Sequence, residues 1–124
     1  MRYKRDESFR YAFEPSISGA FHILMLNEQK VEMAEGELSI LNLSPGGIRI
    51  QTQYKLPDPT TYSIKLEIRF YLENRPLCLK GSVQWVKPVA AGYEYGLELL
   101  SSDKEKEDVI DEVKRFALTQ RSLN

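Results

Sequence analysis

From Ile64 to Leu72 every second residue is a large apolar one. Ile64, Leu66, Ile68, Phe70 and Leu72 fall on one side; Lys65, Glu67, Arg69 and Tyr71 fall on the other. A period of two places successive side chains on opposite faces of an extended chain, so one face is buried and the other is wet. The same signature returns at Ile48, Ile50 and Thr52 against Arg49, Gln51 and Gln53, and again in Tyr93 to Leu99. Short alternating runs separated by "NEQK", "LPDPTT", "ENRP" and "AAG" read as strands joined by turns. Ala20 to Leu26 alternates too, Val31 to Met33 is read as its short partner, and Pro15 to Gly19 as a loop. Leu77 to Lys87 forms another strand, with Gly81 marking a bend or bulge.

The period changes after Ser101. Val109, Ile110, Val113, Phe116 and Ala117 stand at helical spacing, and Ser102 with Glu105 fits a capping box. Acidic residues crowd the start of this segment and basic ones its end, which suits the helix dipole. The expected fold is mainly β: six or seven short strands followed by one amphipathic α-helix at about 103–120 suggest a small closed antiparallel barrel whose mouth or edge the helix covers. Residues 1–14 read as a flexible, arginine-containing arm and 15–124 as the barrel domain, with Tyr11 to Phe13 a candidate start of the sheet.

With 124 residues and 42% hydrophobic composition, the chain suits one domain with one core. A net charge of −1 argues against bulk nucleic-acid or membrane-surface binding. One cysteine precludes an internal disulfide, and neither a secretory signal nor a spanning apolar stretch is visible, so a cytoplasmic location is expected. Enzyme chemistry is not indicated. His22 is the single histidine and reads as a surface or barrel-wall residue with no metal-ligand spacing around it. Cys78 in "PLCLKG" reads as a buried, inert thiol. No catalytic motif, metal site or cofactor fingerprint is present. Trp85, Tyr93 and Tyr95 could stack on a ligand, but on alternating strands such residues are more often core.

The stretch "NLSPGG" from Asn42 to Gly47 sits between two strands. Turn chemistry alone accounts for its composition: Pro45 fixes φ, and Gly46 or Gly47 can take φ > 0. Asn42 and Ser44 are two apart, so on a strand they face the same way and offer a carboxamide and a hydroxyl side by side on the surface. Such a strip could read the edge of a planar heterocycle. Charge for phosphate would have to come from Arg5 and Arg10 on the arm, because guanidinium groups fork onto phosphate and onto the guanine edge and stack on π faces.

Arg5 and Arg10, then Asn42-x-Ser44-x-x-Gly47, then "GSVQW" (Gly81 to Trp85) and "YEYGLELL" before a terminal helix, resemble the PilZ domain family over nearly the whole chain. The resemblance implies a six-stranded barrel that binds the bacterial second messenger cyclic di-GMP, with the arm closing over the ligand and a downstream effector protein reading the closed state. Carried onto this sequence, Arg5 and Arg10 would grip guanine and phosphate, with Lys4 or Arg2 sharing that role. Asn42 and Ser44 would bond a guanine edge, and Gly46 and Gly47 would admit the ligand to the backbone. The family's arginines are typically four apart; Arg5 and Arg10 are five apart. One residue of extended arm adds roughly 3.3 Å of contour, which a flexible arm absorbs and a fixed turn does not. A degenerate adaptor working through protein contacts without nucleotide is the alternative. A single-stranded nucleic-acid binder is disfavoured by the charge, so no DNA partner is expected. The chain is expected to be a monomer or weak dimer.

Overall fold

The structure, a computed structural model, describes residues 10–30, 35–100 and 102–123. Among these residues seven strands form one antiparallel sheet: β1 (Tyr11–Leu26), β2 (Gln29–Lys30), β3 (Gly36–Leu43), β4 (Gly47–Thr52), β5 (Ile64–Leu72), β6 (Arg75–Val89) and β7 (Gly92–Leu99). Their spatial order is β2-β1-β3-β4-β7-β6-β5, and β1 pairs with β5. That last pairing closes six strands into a barrel and leaves β2 outside as a two-residue extension of β1. Closure removes the unpaired edges that an open sheet would expose.

The core grows out of the alternation. Ile64, Leu66, Ile68, Phe70 and Leu72 are all buried and meet Ile40, Leu43, Ile48, Ile50, Leu79 and Leu97 inside the barrel. Tyr95 is fully buried as well, and its hydroxyl accepts the Leu56 amide at 2.8 Å. That bond ties the "LPDPTT" loop to the barrel. The helix α1 (Asp103–Leu123) starts on the expected capping box: Ser102 N donates to Glu105 Oε1 at 2.9 Å, and Glu105 N donates to Ser102 Oγ at 3.2 Å. Val109 and Val113 enter the core, and the ring of Phe116 meets those of Tyr11 and Phe13 on β1.

Several local expectations change. Pro15 to Gly19 is not a loop; β1 runs through it. Ala12 pairs with Asn42 and Ile17 with Ile40, so Phe13 to Ser16 stand against Leu41 alone. Pro15, which has no amide to give, falls in that unpaired stretch. Tyr11 to Phe13 do begin the sheet, as the first residues of β1, and Glu14 continues the same strand. The "NEQK" turn narrows to Asn27 and Glu28, both at positive φ, and Gln29 and Lys30 already pair with Leu26 and Met25. Val31 to Met33 lies outside the described residues. The irregularity in β6 is not at Gly81: the register jumps between Val83 and Trp85. Gly81 is small because a Cβ there would meet Leu97 Cδ2 at 3.0 Å.

Candidate functional site: an arginine-lined groove on the outer wall

Two extra residues in the sheet decide which side chains face this groove. In β3, Ile40 pairs with Ile50 but Asn42 pairs with Arg49, so Leu41 is inserted. In β6, Val83 pairs with Leu97 but Trp85 pairs with Gly96, so Gln84 is inserted. Each insertion reverses the facing of the residues after it. Strict alternation from Leu38 and Ile40, or from Leu79 and Val83, would send Asn42 and Trp85 into the core. The insertions turn both outward, into one row across five strands: Ala12, Asn42, Arg49, Gly96 and Trp85.

Trp85 is therefore not core. It is 41% exposed, and its indole occupies the space a side chain at Gly96 would need. Tyr95, by contrast, is core as expected. Beside Trp85 lies a groove of about 360 Å³, lined among others by Arg10, Gly46, Gly47, Arg49, Trp85 and Glu98. It joins the root of the N-terminal segment, the β3–β4 turn and the β6–β7 hairpin.

Arg10 Nη1 donates to Asn42 Oδ1 at 2.7 Å, across 32 residues of sequence. The pairing of Ala12 with Asn42 brings the arginine there. Asn42 and Ser44 are 6% and 4% exposed, so they do not form the surface strip expected from sequence. Asn42 has its carboxamide oxygen engaged by Arg10, and Ser44 Oγ turns into its own turn, donating to the Gly47 carbonyl at 3.3 Å. The main chain closes the same turn, with Ser44 N donating to Gly47 O at 2.9 Å.

Neither glycine of the turn uses a positive φ; Gly92 is the glycine that does, at 139°. Gly47 is needed for packing, since a Cβ would come 3.0 Å from the Leu97 carbonyl. Gly46 has open space around its Cβ position, and its carbonyl accepts the Leu99 amide at 3.0 Å. Nothing in the packing of the described residues demands a glycine at Gly46, and its bare backbone borders the groove.

In the sequence, Arg49 is simply one residue on the polar side of a strand. The structure puts it on the groove wall, where Nη2 donates to Glu94 Oε1 at 2.6 Å. Lys4 and Arg5 lie outside the described residues, as does Arg2.

Among the described residues the other titratable groups form no second site of this kind. His22 Nε2 lies 3.0 Å from Glu67 Oε1 on the barrel wall. Desolvation alone would raise Glu67, but the hydrogen bond from Cys78 and the charges of Arg69 and His22 hold it below the ordinary glutamate value. Cys78 is exposed rather than buried, because the β5–β6 pairing sets it beside Arg69 on the outer face. Its thiol is nonetheless pushed up, by partial desolvation and then by the bond to Glu67, so it is a poorer nucleophile than a free cysteine. Among the described residues there is no group of three or more His, Cys, Asp or Glu that could hold a metal ion. No helix among them is long and apolar enough to cross a membrane.

No curated protein matches the chain significantly. The model of the PilZ domain matches residues 4–115, which includes the arm from Lys4 onward, the Asn42 to Gly47 turn, every strand described above and most of α1. A closed six-stranded barrel ending in one helix, and a family match over nearly its whole length, place this chain in the PilZ domain family, a family of cyclic di-GMP receptors.

Proposed function

We propose that the protein is a bacterial, cytoplasmic receptor module for cyclic di-GMP, binding it in the groove between Arg10, the Gly46–Gly47 turn and Trp85. The observation that carries this reading is the Arg10–Asn42 hydrogen bond. It holds a guanidinium from the N-terminal segment over the turn, beside a groove with an exposed indole on its wall. A cyclic dinucleotide offers what these groups bind: phosphate oxygens and a guanine O6/N7 edge for arginine, and a flat purine face for the indole. The bare backbone of Gly46 gives the ligand close access to the chain.

In this reading Arg10 exchanges part of its bond to Asn42 for the ligand. Arg5 and Lys4 close over the ligand from the preceding arm, and Asn42 and Ser44 fix the geometry of the turn beneath. A partner protein then reads the closed surface. Calorimetric titration with cyclic di-GMP tests the reading, with cyclic di-AMP and GTP as controls. Saturable binding at micromolar protein, selective for cyclic di-GMP, is the expected result. Absence of saturable binding would reject it and leave a ligand-free adaptor of the same fold.

Closure has its own readout. Amide exchange in residues 1–10 should slow when ligand is added, and equal exchange in both states would count against an arm that closes.

A further inference from the structure

Arg49 and Glu94 carry a device that the Asn42 to Gly47 motif does not include. Glu94 is a charged residue almost without solvent contact: its side chain is 9% exposed on the outer wall of the barrel. Burying a carboxylate is unfavourable unless it is paired. Here it is paired twice, with Arg49 Nη2 at 2.6 Å and with Lys87 Nζ at 3.8 Å. The sheet register places it there, since Gln51 and Lys87 both pair with Glu94 and Arg49 is two residues from Gln51, on the same face of β4. Arg49 itself is 40% exposed and lines the groove, yet its Nε is buried and has no hydrogen-bond partner among the described residues. A buried donor left unspent in a folded protein calls for a physical reason. The enclosed Nε is itself out of a ligand's reach; the guanidinium is held at Nη2 by Glu94, and its exposed part on the groove wall is what meets an incoming acceptor.

We propose that Arg49 is a third ligand-binding cation of the groove, and that Glu94 is the positioning residue that holds its guanidinium ready for a phosphate or guanine acceptor of a cyclic dinucleotide. This rests on the receptor reading above. The buried carboxylate fixes the fork of Arg49 before the ligand arrives, so less side-chain freedom is lost on binding. The groove then carries Arg10 and Arg49 against Glu98, a positive balance suited to an anionic ligand.

The test compares wild type, Arg10→Ala, Arg49→Ala, Arg49→Lys, Glu94→Gln and Arg49→Ala/Glu94→Gln by calorimetric titration with cyclic di-GMP, each checked for a cooperative thermal transition. Arg49→Ala should weaken binding about tenfold or more, the scale of one charge-assisted hydrogen bond, and Arg49→Lys should not restore it. The decisive sign is that of Glu94→Gln. As a mere negative charge near an anionic ligand, its removal would strengthen binding; as the clamp on Arg49, its removal weakens binding severalfold. In the Arg49→Ala background that loss should vanish. If wild type binds and Arg10→Ala weakens it while Arg49→Ala and Arg49→Lys bind like wild type, the inference is overturned and the receptor reading stands. Tighter binding by Glu94→Gln would overturn the positioning role. If wild type does not bind at all, the receptor reading fails and the inference with it. Should Arg49→Ala not fold, Arg49→Lys, which keeps the charge beside Glu94, decides the matter alone.

Discussion

The indole of Trp85 occupies the space above Gly96, and any side chain at that position would collide with it. The two residues pair across β6 and β7, and the pairing exists only because Gln84 is inserted ahead of Trp85. One glycine and one extra residue thus put the chain's single tryptophan on the groove wall, 41% exposed.

Gly96→Ala should therefore lift the indole out of place. Forcing a methyl into filled space typically costs ~1–3 kcal/mol. Urea denaturation would register that loss. The tryptophan emission of the folded variant should shift toward that of a solvated indole, and an unshifted spectrum at wild-type stability would show that Trp85 does not depend on the vacancy.

Ligand stacking on Trp85 should quench its fluorescence, with no other tryptophan to obscure the signal. Trp85→Phe should keep part of the affinity, and Trp85→Ala should lose ~1–3 kcal/mol of it, the usual scale of aromatic–base stacking. Undiminished affinity in Trp85→Ala would remove the indole from the site.

Tyr95→Phe removes a hydroxyl that makes two hydrogen bonds, the weaker being its donation to the Tyr54 carbonyl at 3.5 Å. The hydroxyl accepts the Leu56 amide at 2.8 Å, and its side chain is fully buried. Removing the oxygen strands that amide, at a cost of ~1–3 kcal/mol in chemical denaturation. Ligand affinity should stay unchanged, because Tyr95 faces the core and not the groove.

Glu67 gives the fold an acid dependence. Its folded pKa is depressed below the ordinary value of 4.5, with desolvation opposing and Cys78, Arg69 and His22 depressing it. A depressed carboxylate contributes stability that is full above the unfolded pKa and is lost as pH falls through the folded one. Glu67→Gln should thus flatten the decline in stability below about pH 4.5, measured as melting temperature against pH. An unchanged acid limb would show that Glu67 does not contribute to it.

The barrel is largely legible in the sequence because period-two alternation and turn residues act locally. β4, β5, β7, the helix and its capping box all arise from nearest-neighbour pattern. What the sequence hides is whatever depends on an inserted residue. Nothing in "LSILNLS" or "GSVQW" marks Leu41 or Gln84 as the extra one, and each reverses the facing of its successors. Alternation for that reason favours the core for Trp85. Asn42 faces outward, as its sequence reading expects, but it is covered by Arg10, a contact 32 residues long that no local pattern contains. Pro15 to Gly19 looks like a loop because proline and glycine usually punctuate; here tertiary pairing carries β1 through them. Arg49 looks like any solvated strand residue, and only the buried Glu94 beside it sets it apart.

Whether the groove beside Arg10 and Trp85 receives cyclic di-GMP is decided by calorimetric titration of wild type and Arg10→Ala with that nucleotide. Saturable binding by wild type, weakened by at least ~1.5 kcal/mol in Arg10→Ala, is the expected outcome for a charge-assisted contact. No saturable binding by wild type, or equal affinity in the two proteins, would refute it.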